Sequence, residues 1–110
     1  MVKVLVKRLN SKVKLPEYKT SGSSGMDLMA SIDSPIKIAP NTLELIPTGL
    51  SIAIPDDLEI QIRPRSGLAA KSNIGVLNTP GTIDSDYRGE LKIILFNHGN
   101  KDFIVNNNDR

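Results

Sequence analysis

Hydrophobic and polar residues alternate along most of this chain. The alternating runs lie at residues 2–6, 36–38, 43–45, 50–54 and 58–62. A period of two predicts β-strands that bury one face. No window carries the apolar period of an amphipathic helix, and only residues 68–71 are typical of a helical turn.

Turn-forming residues separate nearly all of these runs. They are Ser34, Pro35, Pro40, Asn41, Pro47, Pro55, Asp56, Asp57, Pro64, His98, Gly99 and Asn100. Short strands divided by proline and glycine predict an antiparallel all-β fold, a jelly-roll-like sandwich or barrel. With 110 residues and no linker, the sequence predicts one domain over residues 1–110. His98 is interpreted as a turn residue.

Composition limits the chemistry. The chain has no cysteine and one histidine. A disulfide framework, a thiolate zinc site, a cysteine nucleophile and a multi-histidine metal cluster are therefore excluded. Any bound metal should be a hard, oxygen-liganded ion such as Mg²⁺. The first nine residues interrupt their apolar positions with charge, unlike a signal peptide or membrane span, so we expect a soluble cytoplasmic protein.

The charge balance does not favour a nucleic-acid platform. Lys and Arg total 14 against 12 Asp and Glu, the net charge is +2, and aromatic residues make up 4%. Nucleic-acid surfaces usually combine a dense basic stripe with stacking aromatics, and the basic residues here are spread along the chain. We expect neither nucleic acid nor membrane as a partner. A small anionic ligand needs only a few well-placed cations.

Three polar segments interrupt the alternation. In the first, residues 23–30, Asp27 lies among Met26, Leu28 and Met29. A carboxylate among apolar side chains is costly to bury unless it meets a cation, a metal-bound water or backbone donors. From local sequence, Asp27 is equally consistent with a polar position on the solvent face of a strand.

The second segment spans residues 63–71. Pro64 ends a strand, and Gly67 allows the backbone to approach a ligand. Arg65 suits a bidentate grip on phosphate, and Lys71 adds a point charge. A strand-to-helix turn with solvated basic residues explains the same string, because short R-S-G sequences are common.

The third segment, residues 78–93, is the most specific. It reads N-T-P-G-T-I-D-S-D-Y-R-G-E-L-K-I, and its turn residues predict a short hairpin. Asp84 on a tight turn can stay ionised and orient a water as general base. The ring of Tyr87 could pack on a sugar face.

These segments make the chain resemble the bacterial-type trimeric dUTPases, the deoxyuridine triphosphate nucleotidohydrolases. The matching strings are S-G-M-D-L-M-A at 24–30, R-S-G-L-A-A-K at 65–71 and N-T-P-G-T-I-D-S-D-Y-R-G-E-L-K at 78–92, with P-T-G-L at 47–50 also similar. The resemblance implies hydrolysis of dUTP to dUMP and pyrophosphate by water attack on the α-phosphorus. That reaction lowers dUTP and supplies dUMP for thymidylate synthesis. It also implies Mg²⁺ and a homotrimer with sites at subunit interfaces.

The resemblance also implies residue roles. Asp84 would position the attacking water, Tyr87 would pack under the deoxyribose, and Asp27 would act near the magnesium, through water. The residues implied for substrate binding are Arg65, Ser66 and Gly67 on the phosphates and Asn78, Thr82, Ile83 and Lys92 around the uracil.

Two alternatives stay open from the sequence. A dCTP deaminase-related enzyme shares the fold, but its L-E-F-Y-N string carries a proton-transferring Glu where this chain has Ile94. A non-catalytic dUTPase-like binding module, or a purely structural jelly roll, is the other. The family continues after an Asp-Arg pair like Asp109 and Arg110 with further strands and a Gly-rich tail. We therefore expect this sequence to be a C-terminally truncated form of such a protein.

Overall fold

The computed structural model describes residues 2–110, which form nine short strands and one helix. The strands are β1 (Leu5–Arg8), β2 (Ile36–Ile38), β3 (Leu43–Pro47), β4 (Leu50–Ala53), β5 (Ile60–Ile62), β6 (Ile74–Val76), β7 (Gly81–Ile83), β8 (Lys92–Asn97) and β9 (Phe103–Val105). The helix, α1, spans Ser66–Ser72 between β5 and β6. The predicted all-β class is confirmed.

All the strand pairs are antiparallel. β3, β8 and β6 form a three-stranded sheet with β8 in the centre. Three two-stranded ribbons, β1 with β4, β2 with β9 and β5 with β7, complete the pairing among the described residues. The pairs join segments that are far apart in sequence, as in Ile36 opposite Val105.

The helix is the predicted turn at residues 68–71, extended at both ends. It stops at Asn73, which adopts a left-handed φ of 55° and returns its N–H to the Leu68 carbonyl. Asparagine tolerates this conformation better than most residues, so it is a common helix end. No helix in the part of the chain that the structure describes is long and apolar enough to cross a membrane.

The buried core collects apolar side chains from most of the strands. Its members are Val13, Ala30, Ile38, Ile46, Leu50, Ile52, Ile54, Ile74, Val76, Leu91 and Val105. Two polar side chains, Thr48 and Asn97, are buried with them, and Asn97 is 1% exposed. Its Nδ2 donates to the carbonyls of Ile38 and Lys101, and its Oδ1 accepts from the Gly99 N–H. Asn97 thus ties β8 to β2 and to the turn that leads into β9.

The alternation is correct on β3, but its apolar face points outward. Ile46 is buried, whereas Leu43 and Leu45 are 45% and 54% exposed. Directly opposite, Phe96 and Ile94 of β8 lie on the same outer face, because paired residues point to one side of a sheet. This surface, Leu43, Leu45, Ile94 and Phe96, is called the outer β3–β8 face below. β1 is exposed at all four residues, so the prediction that the run at residues 2–6 buries one face is wrong for the single chain; β4 pairs with the edge of β1 and covers neither of its faces.

The predicted hairpin at residues 78–93 is wrong in its pairing. β7 pairs with β5, and β8 pairs with β3 and β6, so the two strands of this segment belong to different sheets. The loop between them, residues 84–91, is a connection from one sheet to another. Turn-forming residues in this loop bend the chain but do not select its partner strand.

Candidate active site

One group of charged side chains gathers around Asp27. Its Oδ1 lies 3.6 Å from Nε of Arg65, and its Oδ2 lies 3.0 Å from Nη1 of Arg110. The Asp27 side chain is 24% exposed, and the two arginines are 45% and 40% exposed. The Asp27 carboxylate therefore lies between two guanidinium groups, and both of these groups reach solvent.

Arg110 reaches Asp27 because the last residues dock on the segment after it. The Ala30 N–H donates to the Asp109 carbonyl, and the Asn108 N–H donates to the Ala30 carbonyl. The Asp109 carboxylate accepts from the Asn106 N–H and closes the turn. This docking places the guanidinium of the following residue beside Asp27.

Arg65 is positioned by the end of β5 and the start of α1. It precedes the helix with an extended backbone, and its carbonyl accepts from the Ala69 N–H. Ser66 and Gly67 form the exposed first helical turn. A Cβ at Gly67 would meet nothing within 4 Å, so this backbone is open to an approaching ligand. The first N–H groups of a helix lack partners within the helix.

A second group lies on the loop of residues 84–91. The Tyr87 N–H donates to the Asp84 carbonyl at 3.1 Å, which closes a turn. Both side chains are exposed, and the four ion pairs found within residues 2–110 leave Asp84 out. The Tyr87 hydroxyl donates to the Glu90 carbonyl at 2.9 Å, so the ring lies along the loop.

Asn78 lies at the other end of β7. A Cβ built on Gly81 would lie 3.0 Å from its Nδ2, so the amide covers the glycine. The Thr79–Pro80 peptide between them is cis. Farther along, Thr82 is exposed and pairs with Gln61 of β5.

The remaining predicted residues flank this loop. Ile83, half-buried, ends β7 opposite Ile60, and the exposed Lys92 starts β8 opposite Pro47. Their backbones therefore belong to two different sheets, on either side of residues 84–91.

Within one chain, the two groups stand apart. Asp84 leaves β7 just beyond Ile83, which is opposite Ile60. Arg65 follows β5 beyond Ile62, at the opposite end of the same ribbon. At about 3.3 Å per residue, the ribbon alone separates the two departure points by roughly 7 Å. The fold thus joins Asp27 to Arg65 by an ion pair and Tyr87 to Asp84 by a hydrogen bond, and no such contact links the two pairs within residues 2–110.

A cavity in the described part of the chain adjoins the Asp27 group. Its volume is about 380 Å³, and its charged lining includes Asp27, Arg65 and Arg110. Its apolar lining includes Ile46 and Leu95. Asp84 and Tyr87 are not among the lining residues, so this cavity alone does not unite the predicted site.

Sequence reasoning missed Arg110 as a site residue. The resemblance of Asp109 and Arg110 to a family Asp-Arg pair was the available signal, but a separation of 83 residues from Asp27 hides the contact. Of the two ion pairs of Asp27, the one with Arg110 has the shorter N–O distance.

The fold and these two groups define a candidate phosphate-ester hydrolase: guanidiniums suit phosphate oxygens, and an exposed carboxylate suits activation of water. Comparison with known proteins identifies the family. A dUTPase family model matches residues 11–110. The chain is 59% identical over 103 residues to the deoxyuridine 5'-triphosphate nucleotidohydrolase of Treponema denticola, covering 94% of this chain and 72% of that protein. The chain belongs to the dUTPase family.

Further comparisons agree. The deoxyuridine 5'-triphosphate nucleotidohydrolase of Rickettsia massiliae is 56% identical over 106 residues, covering 96% of this chain and 72% of that one. A solved mutant of the dUTPase of Staphylococcus bacteriophage 80alpha superposes with a TM-score of 0.85 at 18% identity, over 98% of this chain and 84% of that chain. These likenesses confirm the predicted jelly-roll-like fold.

A second solved structure is a mutant dUTPase from phage phi11 of S. aureus, described as coordinating a structural Mg(II) ion. It superposes with a TM-score of 0.78 at 24% identity. The match covers 87% of this chain and 60% of that chain. A mutant of the 80alpha enzyme is described with dUpNHpp.

Proposed function

We propose that this chain hydrolyses dUTP to dUMP and pyrophosphate. The observation that carries the proposal is one turn: in a chain of the dUTPase family, Asp84 and Tyr87 occupy its two ends, joined by a backbone hydrogen bond and both exposed. A water-activating carboxylate and a flat ring on one short loop suit a nucleotide whose sugar and α-phosphate are neighbours.

In the proposed mechanism, Asp84 accepts a proton from a water that attacks the α-phosphorus. Pyrophosphate leaves, and dUMP retains the α-phosphate. Phosphoryl transfer is accelerated mainly by positioning and charge neutralisation. One oriented carboxylate and a few cations therefore provide the groups that this catalysis needs. Tyr87 packs under the deoxyribose, where a 2′-hydroxyl would clash.

The same proposal places Arg65, Ser66 and Gly67 on the phosphates. Their support is the exposed guanidinium and the open first turn of α1. Arg110 joins this set, since Asp27 holds it beside Arg65.

The uracil contacts are proposed for the strands that flank the loop of residues 84–91. Asn78 reads the base edge, with the backbone near Thr82, Ile83 and Lys92 around it. The amide of Asn78 is supported against Gly81, which favours a fixed donor and acceptor pattern.

Asp27 is the residue proposed to hold magnesium, through water. No group of three or more His, Cys, Asp or Glu side chains within residues 2–110 is arranged to hold a metal. Both Asp27 oxygens already face guanidiniums. This donor set fits an ion that keeps several waters and takes its other ligands from phosphates, as Mg²⁺ commonly does. When bound, the ion would neutralise phosphate charge.

We also propose a homotrimer with its sites at subunit interfaces. The separation of Asp84 from Arg65 along the β5–β7 ribbon supports this, because a second subunit could supply the missing group. The outer β3–β8 face supports it too, since it exposes Leu43 and Leu45 beside the partly buried Ile94 and Phe96, and a contiguous apolar surface suits a subunit contact. The cytoplasmic location and the single domain over residues 1–110 stay predictions.

A substrate panel tests the activity. We expect pyrophosphate release from dUTP with Mg²⁺, and release from dCTP, dTTP and UTP lower by about a hundredfold or more, because each presents an unpaired or clashing group. Pyrophosphate is measured by a coupled phosphate assay, and ammonia is measured in parallel. Ammonia from dCTP would instead support the deaminase alternative, and nucleotide binding without turnover would support the binding module.

Subunit mixing tests the shared site. Asp84→Asn and Arg65→Ala variants are each expected to be nearly inactive, whereas an equimolar mixture refolded together should regain about a quarter of wild-type activity, the random fraction of interfaces with both residues intact. The matched control refolds each variant alone. If both residues acted from one chain, the mixture would stay inactive, and the interface proposal would be wrong.

A further inference from the structure

The loop of residues 84–91 is anchored by one short segment of the chain. We call residues 48–51, the turn between β3 and β4 with its first strand residues, the brace. The Thr48 N–H and hydroxyl both donate to the Leu91 carbonyl, at 3.1 and 2.6 Å. The Leu91 N–H donates back to the Leu50 carbonyl at 2.8 Å. Thr48 is 2% exposed, so this pairing is shielded from water.

Two side chains extend the anchoring toward Tyr87. The Glu90 carboxylate accepts from the Gly49 N–H at 2.9 Å. The Ser51 hydroxyl donates to the Arg88 carbonyl at 2.6 Å. The other hydrogen bonds found on residues 84–91 are local ones between residues of the loop. Within the described chain, the brace is therefore the long-range support of this loop.

The Tyr87 ring depends on the part of the loop that the brace holds. Its hydroxyl donates to the Glu90 carbonyl, and a Cβ on Gly89 would lie 2.6 Å from that hydroxyl. The phenol thus rests directly on the Gly89 backbone. Because Arg88, Glu90 and Leu91 each bond to the brace, the surface under the ring is fixed on both sides.

We propose that Thr48 and Glu90 are positioning residues that hold the Tyr87 ring and thereby set discrimination between deoxyribose and ribose. The inference rests on the proposed function, in which Tyr87 packs under the sugar. Neither residue touches the substrate in this proposal. Thr48 fixes the loop through a buried hydroxyl, and Glu90 fixes it through its carboxylate.

Ring mobility gives a test without substrate. The chain has two tyrosines and no tryptophan, so a Tyr18→Phe background leaves Tyr87 as the single strong fluorophore. In that background, Glu90→Ala and Thr48→Val should lower tyrosine anisotropy by about a third, as fast side-chain motion increases. Glu90→Gln and Thr48→Ser keep the acceptor and the hydroxyl and should restore it. Thr42→Val, which removes an exposed Thr hydroxyl bonded to the Ala39 carbonyl, is the matched control.

Sugar discrimination gives the second readout. For Glu90→Ala and Thr48→Val, the ratio of kcat/KM for dUTP to that for UTP should fall about tenfold, chiefly through faster UTP turnover, because a loose ring no longer excludes the 2′-hydroxyl. Tyr87→Ala is measured in the same assay and should show the largest decrease in this ratio. Glu90→Ala keeps the test decisive if Thr48→Val does not fold.

The outcomes separate the two proposals. If Tyr87→Ala loses discrimination while Glu90→Ala and Thr48→Val keep both the ratio and the anisotropy, the positioning inference is overturned and the proposed function stands. If Tyr87→Ala keeps discrimination, the sugar role fails for Tyr87 and for its supports alike. The anisotropy then still decides whether the brace holds the ring.

Discussion

Replacing Asp84 with asparagine is expected to lower kcat for dUTP about a thousandfold, the middle of the range for a general base. Asparagine keeps the size of the side chain and can still hydrogen-bond a water, but it cannot take its proton at neutral pH. KM should change little, because the proposed phosphate and uracil contacts lie elsewhere. Single-turnover hydrolysis of dUTP measures the chemical step directly.

Asp86→Asn is the matched control, since it removes the other carboxylate of the same exposed turn. It should retain most of the wild-type kcat. If both variants lost activity equally, general charge around the loop, and not a base at Asp84, would explain the rate. An unchanged kcat in Asp84→Asn would contradict the hydrolase mechanism outright.

Asn97→Ala is expected to destabilise the fold by about 3 kcal/mol. The substitution leaves the Ile38 and Lys101 carbonyls and the Gly99 N–H without their buried partner. Each unpaired buried group costs roughly 1–3 kcal/mol, and partial access to water on the Gly99 side limits the sum. Urea denaturation followed by circular dichroism measures the loss, at one fixed protein concentration because assembly would contribute to stability.

Asn100→Ala is the control for that measurement, because Asn100 is exposed on the same turn. We expect it to change the free energy of unfolding by less than about 0.5 kcal/mol. A loss under about 1 kcal/mol in Asn97→Ala would mean that water replaces the three hydrogen bonds and that Asn97 does not organise the turn.

The local structure was predictable from residue patterns. Alternation located the strands at residues 36–38, 50–53 and 60–62, and the small residues after Arg65 located the helix. These features depend on neighbours one to four positions away. The turn at Asp84 and Tyr87 was predictable for the same reason, since its hydrogen bond spans three residues.

Strand pairing was not predictable in this way. Alternation predicts that a segment is a strand but does not identify its partner, so β7 and β8 could be read as one hairpin although they join different sheets. Alternation also does not determine which face of a strand points toward the core. Leu43 and Leu45 are apolar, yet they face outward, and the residue of β3 that enters the core is Ile46, on the same face as the exposed Glu44.

The charged contacts of the site depend on the folded backbone. Asp27 could be predicted to need a partner, but only docking of the last residues on Ala30 brings Arg110 to it. The support of the 84–91 loop by Thr48 is equally non-local, because its hydroxyl and the Leu91 carbonyl are 43 positions apart.

The placement of Asp84 and Arg65 at opposite ends of the β5–β7 ribbon has a consequence for how the proposed activity is controlled. If a complete site requires two chains, a newly made subunit is catalytically silent, and turnover per chain rises with protein concentration until the subunits are fully associated. The cellular concentration of the protein would then determine its activity. Below the concentration at which subunits associate, the chain would be present but inactive, and above it each added subunit would complete the site of a neighbouring subunit.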